Sequence, residues 1–301
     1  MDLHETPTMN GWKQPNRMRS LLFVPGDSER KIAKATSVGA DALILDLEDS
    51  VASNAKSVAR KTAADLLSLE DRPTSIWVRV NSLDTKDAMH DLVAIVPHKP
   101  DGIVLPKATP REVEVLANYL TALEAAAGLD TTTTPILAVG GETASSLFDF
   151  GNFGGLQRLL AITWGAEDFA NSLSSSKNRD CHGEFLDPFK LARSLCLAGS
   201  RAAGVAAIET VDPNFRDLTQ FESSARAAGN LGFDGMLAIH PDQVPVINRV
   251  FDKSKVDVGW ATKVVDLFNA NPNAGALSLD GKMIDIVHLK AARKILDSQE
   301  G

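Results

Sequence analysis

Hydrophobic residues fall into eight short runs along the chain. The runs are 20–26, 42–48, 75–81, 102–107, 135–142, 159–165, 204–210 and 235–241. Each run is almost continuously apolar, is rich in Leu or β-branched residues, and is closed by Gly, Pro or a polar residue. Such runs are typical of parallel strands that are buried on both faces. The pattern therefore predicts eight buried strands.

The stretches between these runs have the spacing of amphipathic helices. In 110–129, Val113, Leu116 and Leu120 recur on one helical face, and a second helix is predicted for 28–40. Alternation of eight strands with helices predicts a (β/α)8 TIM barrel, and an open doubly wound sheet is the alternative. No GxGxxG follows the first run, which disfavours a dinucleotide-binding sheet.

Three parts are expected along the chain. Residues 1–18 are polar and predict a flexible leader, residues 19–250 predict the barrel, and residues 251–301 predict a C-terminal extension. The extension has the pattern of a helix, a hairpin-like break rich in Asn, Pro and Gly, and a second helix. It is longer than one closing helix, so we expect it to pack on the barrel or on a neighbouring subunit.

Composition narrows the class of protein. The 301 residues carry a net charge of −8, which argues against nonspecific binding to nucleic acid or to an anionic membrane. No apolar stretch approaches the roughly 18 residues that span a bilayer. The two cysteines, Cys181 and Cys196, lack CxxC spacing. Together these features predict a cytoplasmic enzyme in a reducing compartment.

Polar side chains follow the predicted strands at their C-terminal ends, where TIM barrels carry their active sites. These residues are Asp46, Glu48, Asp49, Arg79, Asn81, Lys107, Glu142, Glu167, Asp168, Glu209 and His240. So many carboxylates on one rim would repel one another, and a divalent cation would relieve this repulsion. Oxygen ligands favour Mg2+ or Mn2+, and no set of His and Cys indicates zinc.

Glu142 and Asp168 form the best candidate pair of metal ligands. Each is a carboxylate near the end of a strand, and the two strands are predicted neighbours. Two protein carboxylates leave octahedral positions for water and substrate oxygens. Alternatively, Asp168 is simply an acid at the start of a helix, which the helix dipole stabilises.

Each of the other candidate residues could have either a catalytic or binding role or a purely structural one. Arg79 could bind a substrate carboxylate or enolate oxygen, or form a buried ion pair with Asp46 or Glu48. Asp46 and Glu48 share one strand face, so either could be a general base or could support Arg79. Lys107 could form a Schiff base or pair with the acidic rim. His240 could be an acid or base, or a hydrogen-bonded structural residue.

Several motifs, in order from Arg19 to Leu296, resemble the citrate lyase beta-subunit-like group of the HpcH/HpaI aldolase superfamily. They include "GADALILDLEDSVA", "VRVNSLDT", "VLPKA", "GETASS", "WGAEDFA", "LGFDGMLAIHP" and "DGKMID". The resemblance implies a TIM barrel that binds a divalent metal and assembles as a homo-oligomer, a trimer or hexamer.

The resemblance also implies site residues. By motif, Glu142 and Asp168 match the metal ligands and Arg79 matches the substrate-binding arginine. Asp285 resembles an acid that the C-terminal segment supplies to a neighbouring subunit's site. Three further residues resemble positions that line the CoA entrance: Arg19, Lys34 and Pro241.

The implied function is that of a Mg2+-dependent carbon–carbon lyase. Its substrate would be a 2- or 3-hydroxyacyl thioester such as malyl-CoA, citramalyl-CoA or citryl-CoA, and its products an acyl-CoA and a 2-oxo acid. An acyl-CoA thioesterase or malate-synthase-like activity on the same scaffold is one alternative. The beta subunit of a multi-subunit citrate lyase, acting on a carrier-protein thioester, is another.

Overall fold

The computed structural model describes residues 17–252 and 258–300, so nearly all of the predicted leader lies outside the described residues. The chain divides into two compact units, with the boundary between Phe251 and Asp252. The first unit contains the eight predicted strands.

These strands are parallel and close into a barrel in chain order, because β1 pairs with both β2 and β8. The closed barrel confirms the predicted fold and excludes the open sheet. The strands are β1 (Ser20–Pro25), β2 (Ala42–Asp46), β3 (Ser75–Arg79), β4 (Gly102–Leu105), β5 (Ile136–Gly140), β6 (Leu159–Trp164), β7 (Ala206–Glu209) and β8 (Gly235–Ala238).

Helices connect successive strands. They are α1 (Glu29–Ala35), α2 (Lys56–Leu67), α3 (Lys86–Ile95), α4 (Pro110–Ala126), α5 (Ala166–Ser172), α6 (Asp187–Ala203), α7 (Leu218–Leu231) and α8 (Val244–Val250). The helix predicted over 28–40 is shorter than expected. The hydroxyls of Thr36 and Ser37 donate back to carbonyls of the last turn, and the chain then turns at Gly39, whose φ is +74°.

The first unit has two apolar layers. One fills the barrel interior and includes Ile44, Trp77 and Ile208, while a larger one lies between the strands and the helices. Trp77 fits into the interior because Gly102 faces it: a Cβ at Gly102 would lie 2.2 Å from the indole ring. Side chains therefore fill the barrel, and chemistry is confined to its ends.

The second unit consists of α9 (Val258–Ala270), a two-stranded antiparallel hairpin and α10 (Ile286–Glu300). The hairpin strands are β9 (Ala276–Leu279) and β10 (Lys282–Asp285). This order agrees with the predicted helix, break and helix. Among the described residues, no helix is long and apolar enough to cross a membrane.

Candidate metal and substrate site at the barrel rim

Asp46 and Arg79 form a fixed pair at the C-terminal ends of β2 and β3. They are partners in the strand register, and Nε and Nη2 of Arg79 each donate to one carboxylate oxygen of Asp46 at 2.7 Å. The main-chain N–H groups of Glu48 and Ser50 also donate to Asp46. Burial disfavours the ionised carboxylate, but the hydrogen bond and charge of Arg79 outweigh it, so the pKa of Asp46 is lowered. Asp46 therefore anchors Arg79.

Glu48 lies between two cations. Its Oε2 is 3.0 Å from Nη1 of Arg79, and its Oε1 is 3.2 Å from Nζ of Lys107. Oε2 is buried and has no hydrogen-bond partner among the described residues, although it forms the ion pair. Burial raises the pKa of Glu48, and the charge of Arg79 offsets this only in part. Oε2 of Glu48 thus has an ion-pair partner but accepts no hydrogen bond from the described residues.

Lys107 pairs with the acidic rim, as one of the two sequence interpretations expected. Burial works to lower the pKa of this lysine, but the charges of Glu48 and Glu142 outweigh it and raise the pKa. A Schiff-base amine must lose its proton before it attacks a carbonyl. The acidic surroundings of Lys107 therefore disfavour the Schiff-base interpretation.

Glu142 is a third buried carboxylate of the site, after Asp46 and Glu48. It lies two residues beyond β5, is 4% exposed, and accepts a hydrogen bond from the main-chain N–H of Lys107. Burial is the main cause that raises its pKa to about 8; the N–H of Lys107 opposes the shift, and the charges of Asp168 and Glu48 add to it. A nearby cation would reverse this penalty.

Asp168 lies in the first turn of α5, directly after β6, and is half-buried. Its charge acts on both Glu142 and Lys107, so the structure brings the two predicted ligands into one electrostatic site. Glu167 instead is exposed and accepts a hydrogen bond from Asn178 at 2.8 Å. Asp168 is therefore both an acid at a helix start and a neighbour of Glu142.

The donor set fits Mg2+. Glu142 and Asp168 supply carboxylate oxygens, which Mg2+ prefers, and the burial of Glu142 favours a bound cation. Within residues 17–252 and 258–300, no group of three or more His, Cys, Asp or Glu side chains is arranged to hold a metal ion. Two carboxylates alone leave most octahedral positions to water and substrate, as a catalytic Mg2+ site requires.

The predicted residues of the CoA entrance are not brought together. Arg19 precedes β1 and pairs with Asp41, which precedes β2, at 2.8 Å. Arg19 therefore lies at the N-terminal end of the barrel, opposite the rim, and its role at the CoA entrance stays a prediction. Pro241 follows β8 on the rim, and Lys34 is exposed in the last turn of α1.

Two further strand-end residues have structural partners. Glu209 was expected on the rim, but its side chain accepts hydrogen bonds from Trp164 at 2.8 Å and from Arg193 at 2.5 Å. It therefore faces the helix layer, and the expectation for Glu209 is wrong. His240 stacks on Phe215, with ring centroids 4.7 Å apart, and its Nδ1 accepts a hydrogen bond from the main-chain N–H of Asp242 at 3.2 Å.

Asp285 ends β10 in the second unit, directly before α10. Its Oδ1 accepts from the N–H of Val287 at 3.0 Å and lies 2.7 Å from Nδ1 of His288. The hydrogen bond with His288 lowers the pKa of Asp285. Asp285 is thus an ionised acid at a helix start, and its catalytic role stays a prediction.

Sequence reasoning missed two contributors to the rim. A Cβ at Gly165 would lie 2.5 Å from Cγ of Glu142, so the glycine provides the space for that carboxylate. The guanidinium of Arg79 lies over the ring of Phe23, 4.8 Å from its centroid. Gly165 stands three residues before Asp168 in "WGAED", and only the fold shows that it faces Glu142.

The chain matches a known protein family and is similar to individual proteins of known activity. A family model described as HpcH/HpaI aldolase/citrate lyase matches residues 19–241. The chain is 31% identical to a (3S)-malyl-CoA thioesterase of Cereibacter sphaeroides, over 95% of this chain and 96% of that protein. It is 32% identical to the citrate lyase subunit beta of Escherichia coli, over 94% and 93% of the two chains.

A similar solved structure is that of CitE from Mycobacterium tuberculosis in complex with magnesium, acetoacetate and coenzyme A. The TM-score is 0.77 at 29% identity, and the match covers 96% of this chain and 100% of that chain.

Proposed function

Since the chain belongs to the HpcH/HpaI aldolase/citrate lyase family, we propose that it is a Mg2+-dependent lyase that breaks a carbon–carbon bond in a hydroxyacyl thioester. The products are an acyl thioester and a 2-oxo acid, and malyl-CoA, citramalyl-CoA and citryl-CoA are the substrates to test first. The buried Glu142 beside Asp168 is the observation that carries the proposal. The beta subunit of citrate lyase among the relatives, and the CitE structure with magnesium and coenzyme A, support it.

Glu142 and Asp168 hold the metal in this proposal. Bound Mg2+ would act as a Lewis acid on substrate oxygens and would order the substrate carboxylate and hydroxyl. The protein contributes the buried carboxylate of Glu142, the half-buried carboxylate of Asp168, and two further buried acids, Asp46 and Glu48, that already pair with cations. No other pair of acids on the rim combines burial with this lack of an ion-pair partner in the described residues.

Glu48 is the proposed general base. Its Oε2 is buried and lacks a hydrogen-bond partner within the described residues, so it can accept the substrate hydroxyl proton. Asp46 is excluded from this role because both of its oxygens accept hydrogen bonds from Arg79 and from loop N–H groups. When the proton leaves the hydroxyl, the oxygen forms a carbonyl and the carbon–carbon bonding pair passes to the thioester fragment.

Arg79 binds the oxo-acid part of the substrate. Asp46 holds one edge of the guanidinium, while Nη1 contributes to an ion pair with Glu48. The remaining N–H groups on Nη1 and Nη2 can donate to a substrate carboxylate or to the oxygen that gains charge. Arg79 thus orients the hydroxyl beside Glu48.

Asp285 is proposed to serve the thioester fragment. The enolate must gain a proton at carbon for cleavage to finish, and the acyl thioester must lose one in the reverse direction. The hydrogen bond with His288 lowers the pKa of Asp285 and keeps its carboxylate ionised, which is the form that accepts a proton in the direction of condensation. We propose that Asp285 comes from a neighbouring copy in a homo-oligomer and that Pro241, on the rim, lies at the CoA entrance; the same role for Lys34 stays a prediction.

A thioesterase is the second candidate, because a (3S)-malyl-CoA thioesterase is among the relatives. In that case the thioester bond would be hydrolysed, and free CoA and a hydroxy acid would be released. Both reactions need the same carboxylates, so they differ in their products and not in their metal requirement.

The test is a condensation assay. Purified protein is mixed with Mg2+, acetyl-CoA or propionyl-CoA, and glyoxylate, pyruvate or oxaloacetate, and CoA esters are followed by mass spectrometry with and without EDTA. An EDTA-sensitive condensed ester supports the lyase and identifies the oxo acid. In a parallel assay that starts from malyl-CoA, release of free CoA with no acetyl-CoA formed supports the thioesterase instead.

Glu167→Gln provides the matched control for Asp168→Asn, because the two carboxylates are adjacent in sequence, Asp168 raises the pKa of Glu142, and Glu167 is exposed and accepts a hydrogen bond from Asn178. The control should retain activity while Asp168→Asn loses it. If Asp168→Asn stayed fully active, the assignment of the metal ligands would be wrong. No product from any substrate pair, in a protein that binds Mg2+, would contradict a lyase acting on CoA esters.

A further inference from the structure

Lys107 has an unusual backbone conformation. Its φ is +50°, in the left-handed region, where an L-residue other than Gly, Asn or Asp is uncommon. It lies two residues beyond β4, on the rim of the barrel. Strained backbone of this kind persists only where the surroundings fix it, and it is concentrated at functional sites.

The conformation gives Lys107 two contacts with acids of the site. Its main-chain N–H donates to Oε2 of Glu142, and its ammonium lies 3.2 Å from Oε1 of Glu48. The next N–H, that of Ala108, donates to the carbonyl of Val139 in β5 at 2.9 Å. The turn after β4 is therefore tied to β5, the strand that leads to Glu142.

We infer that Lys107 is a positioning residue of the reaction centre: its main-chain N–H orients Glu142 toward the metal, and its ammonium holds Glu48 beside Arg79. This inference rests on the proposed function, because Glu142 is the assigned ligand and Glu48 the assigned base. The two parts are separable, since every residue except proline at position 107 keeps the N–H, while only a cation keeps the second contact.

A purely structural explanation would treat Lys107 as a turn residue. Glycine would then serve at least as well, because it adopts a left-handed conformation without a steric cost. Lys99 gives a matched comparison: its φ is +53°, it precedes the same strand at the opposite end of the barrel, and its side chain is exposed. Substituting Lys99 therefore measures the effect of changing a lysine in this backbone conformation, and substituting Lys107 adds the effect of losing its contacts in the site.

The first experiment measures kcat in the condensation assay and Mg2+ binding by isothermal titration calorimetry. Lys107→Gly and Lys107→Asn should lower kcat by about tenfold or more, as loss of a group that orients a catalytic residue does. Both variants should bind Mg2+ at least as tightly as the parent protein, because the N–H remains and a repelling cation is removed. Lys107→Arg should restore part of kcat, and Lys99→Gly should change neither quantity.

Two outcomes of this experiment would overturn the inference. An unchanged kcat in Lys107→Gly would show that the ammonium has no role in the reaction. A fall in Mg2+ affinity of about tenfold or more in both neutral variants would show that the N–H alone does not orient Glu142. Circular dichroism and urea unfolding confirm that each variant is folded before either result is interpreted.

The second experiment observes the N–H directly. The protein is labelled with 15N-lysine, and the amide resonance of Lys107 is identified by its absence from the spectrum of Lys107→Asn. Glu142→Gln replaces the carboxyl oxygen that accepts this N–H by an amide oxygen, so this resonance should shift more than any other lysine amide, that of Lys99 included. A shift no larger than that of Lys99 would contradict the contact with Glu142.

These measurements distinguish the inference from the proposed function. If the parent protein forms no condensed ester, the lyase proposal fails, while calorimetry and the lysine spectrum still report on Glu142. If the parent protein is active and the Lys107 variants behave like Lys99→Gly, the positioning role fails and the lyase proposal stands.

Discussion

Replacing Glu142 by glutamine should make the metal-free protein more stable while abolishing Mg2+ binding. In the parent protein, burial raises the pKa of Glu142 from 4.5 to about 8. The folded state therefore retains a proton that the unfolded state loses between these two pH values. The stability that this proton provides is complete below pH 4.5 and is lost as the pH rises through 8.

The size of this stability loss follows from the change in the pKa of Glu142 on folding. At about 1.4 kcal/mol per pH unit, raising the pKa of Glu142 from 4.5 to about 8 corresponds to at most about 5 kcal/mol of lost stability above pH 8. Glutamine has the same shape, stays neutral and can still accept the N–H of Lys107. Glu142→Gln should therefore be the more stable protein in EDTA, with a gain that is small at pH 5 and largest at pH 9.

Urea unfolding at pH 5, 7 and 9, with EDTA and with saturating Mg2+, measures the difference in free energy of unfolding between Glu142→Gln and the parent protein. Metal at 100 times its dissociation constant should stabilise the parent protein by about 2.7 kcal/mol and should leave Glu142→Gln unchanged. The apparent Mg2+ affinity of the parent protein should also rise by up to about tenfold per pH unit below pH 8, because the metal displaces the proton.

The stability of Glu142→Gln in EDTA can also contradict the predicted effect. A variant that is less stable than the parent protein in EDTA at pH 9, or whose stability difference does not change with pH, would refute the reasoning. Either result would mean that Glu142 is already ionised and compensated in the metal-free protein.

Three further predictions concern single residues of the rim. Asp168→Asn should remain folded by circular dichroism but should lose Mg2+ binding in calorimetry, because an amide is a weak ligand for the ion; binding at the parent affinity would contradict this. Arg79→Ala should lower the free energy of unfolding by about 3–5 kcal/mol because Asp46 is left as a buried, unpaired charge, and urea unfolding measures this loss. Gly165→Ala should weaken Mg2+ binding by about tenfold or more because its methyl group would displace the buried glutamate, whereas Gly154→Ala, with no atom within 4 Å of the added carbon, should not.

Much of the rim could be predicted because a parallel barrel brings all strand ends to one face. In β2 and β3, Ile44 and Trp77 point into the barrel, so Asp46 and Arg79, two residues later, point inward as well. The same rule explains the wrong expectation for Glu209. It follows Ile208, which points inward, and therefore faces the helices. Strand alternation was the available signal for both results.

The sequence by itself determined the eight strands, their alternation with helices and the acids at their ends, because apolar periodicity and strand order are local properties. Only the tertiary structure decided what surrounds each acid. Asp46 and Glu48 are two residues apart, yet one accepts four hydrogen bonds and the other retains an oxygen without one. A pKa depends on burial and on charges from other strands, and the left-handed turn at Lys107 depends on contacts with β5 and Glu142. No local pattern of residues encodes such contacts.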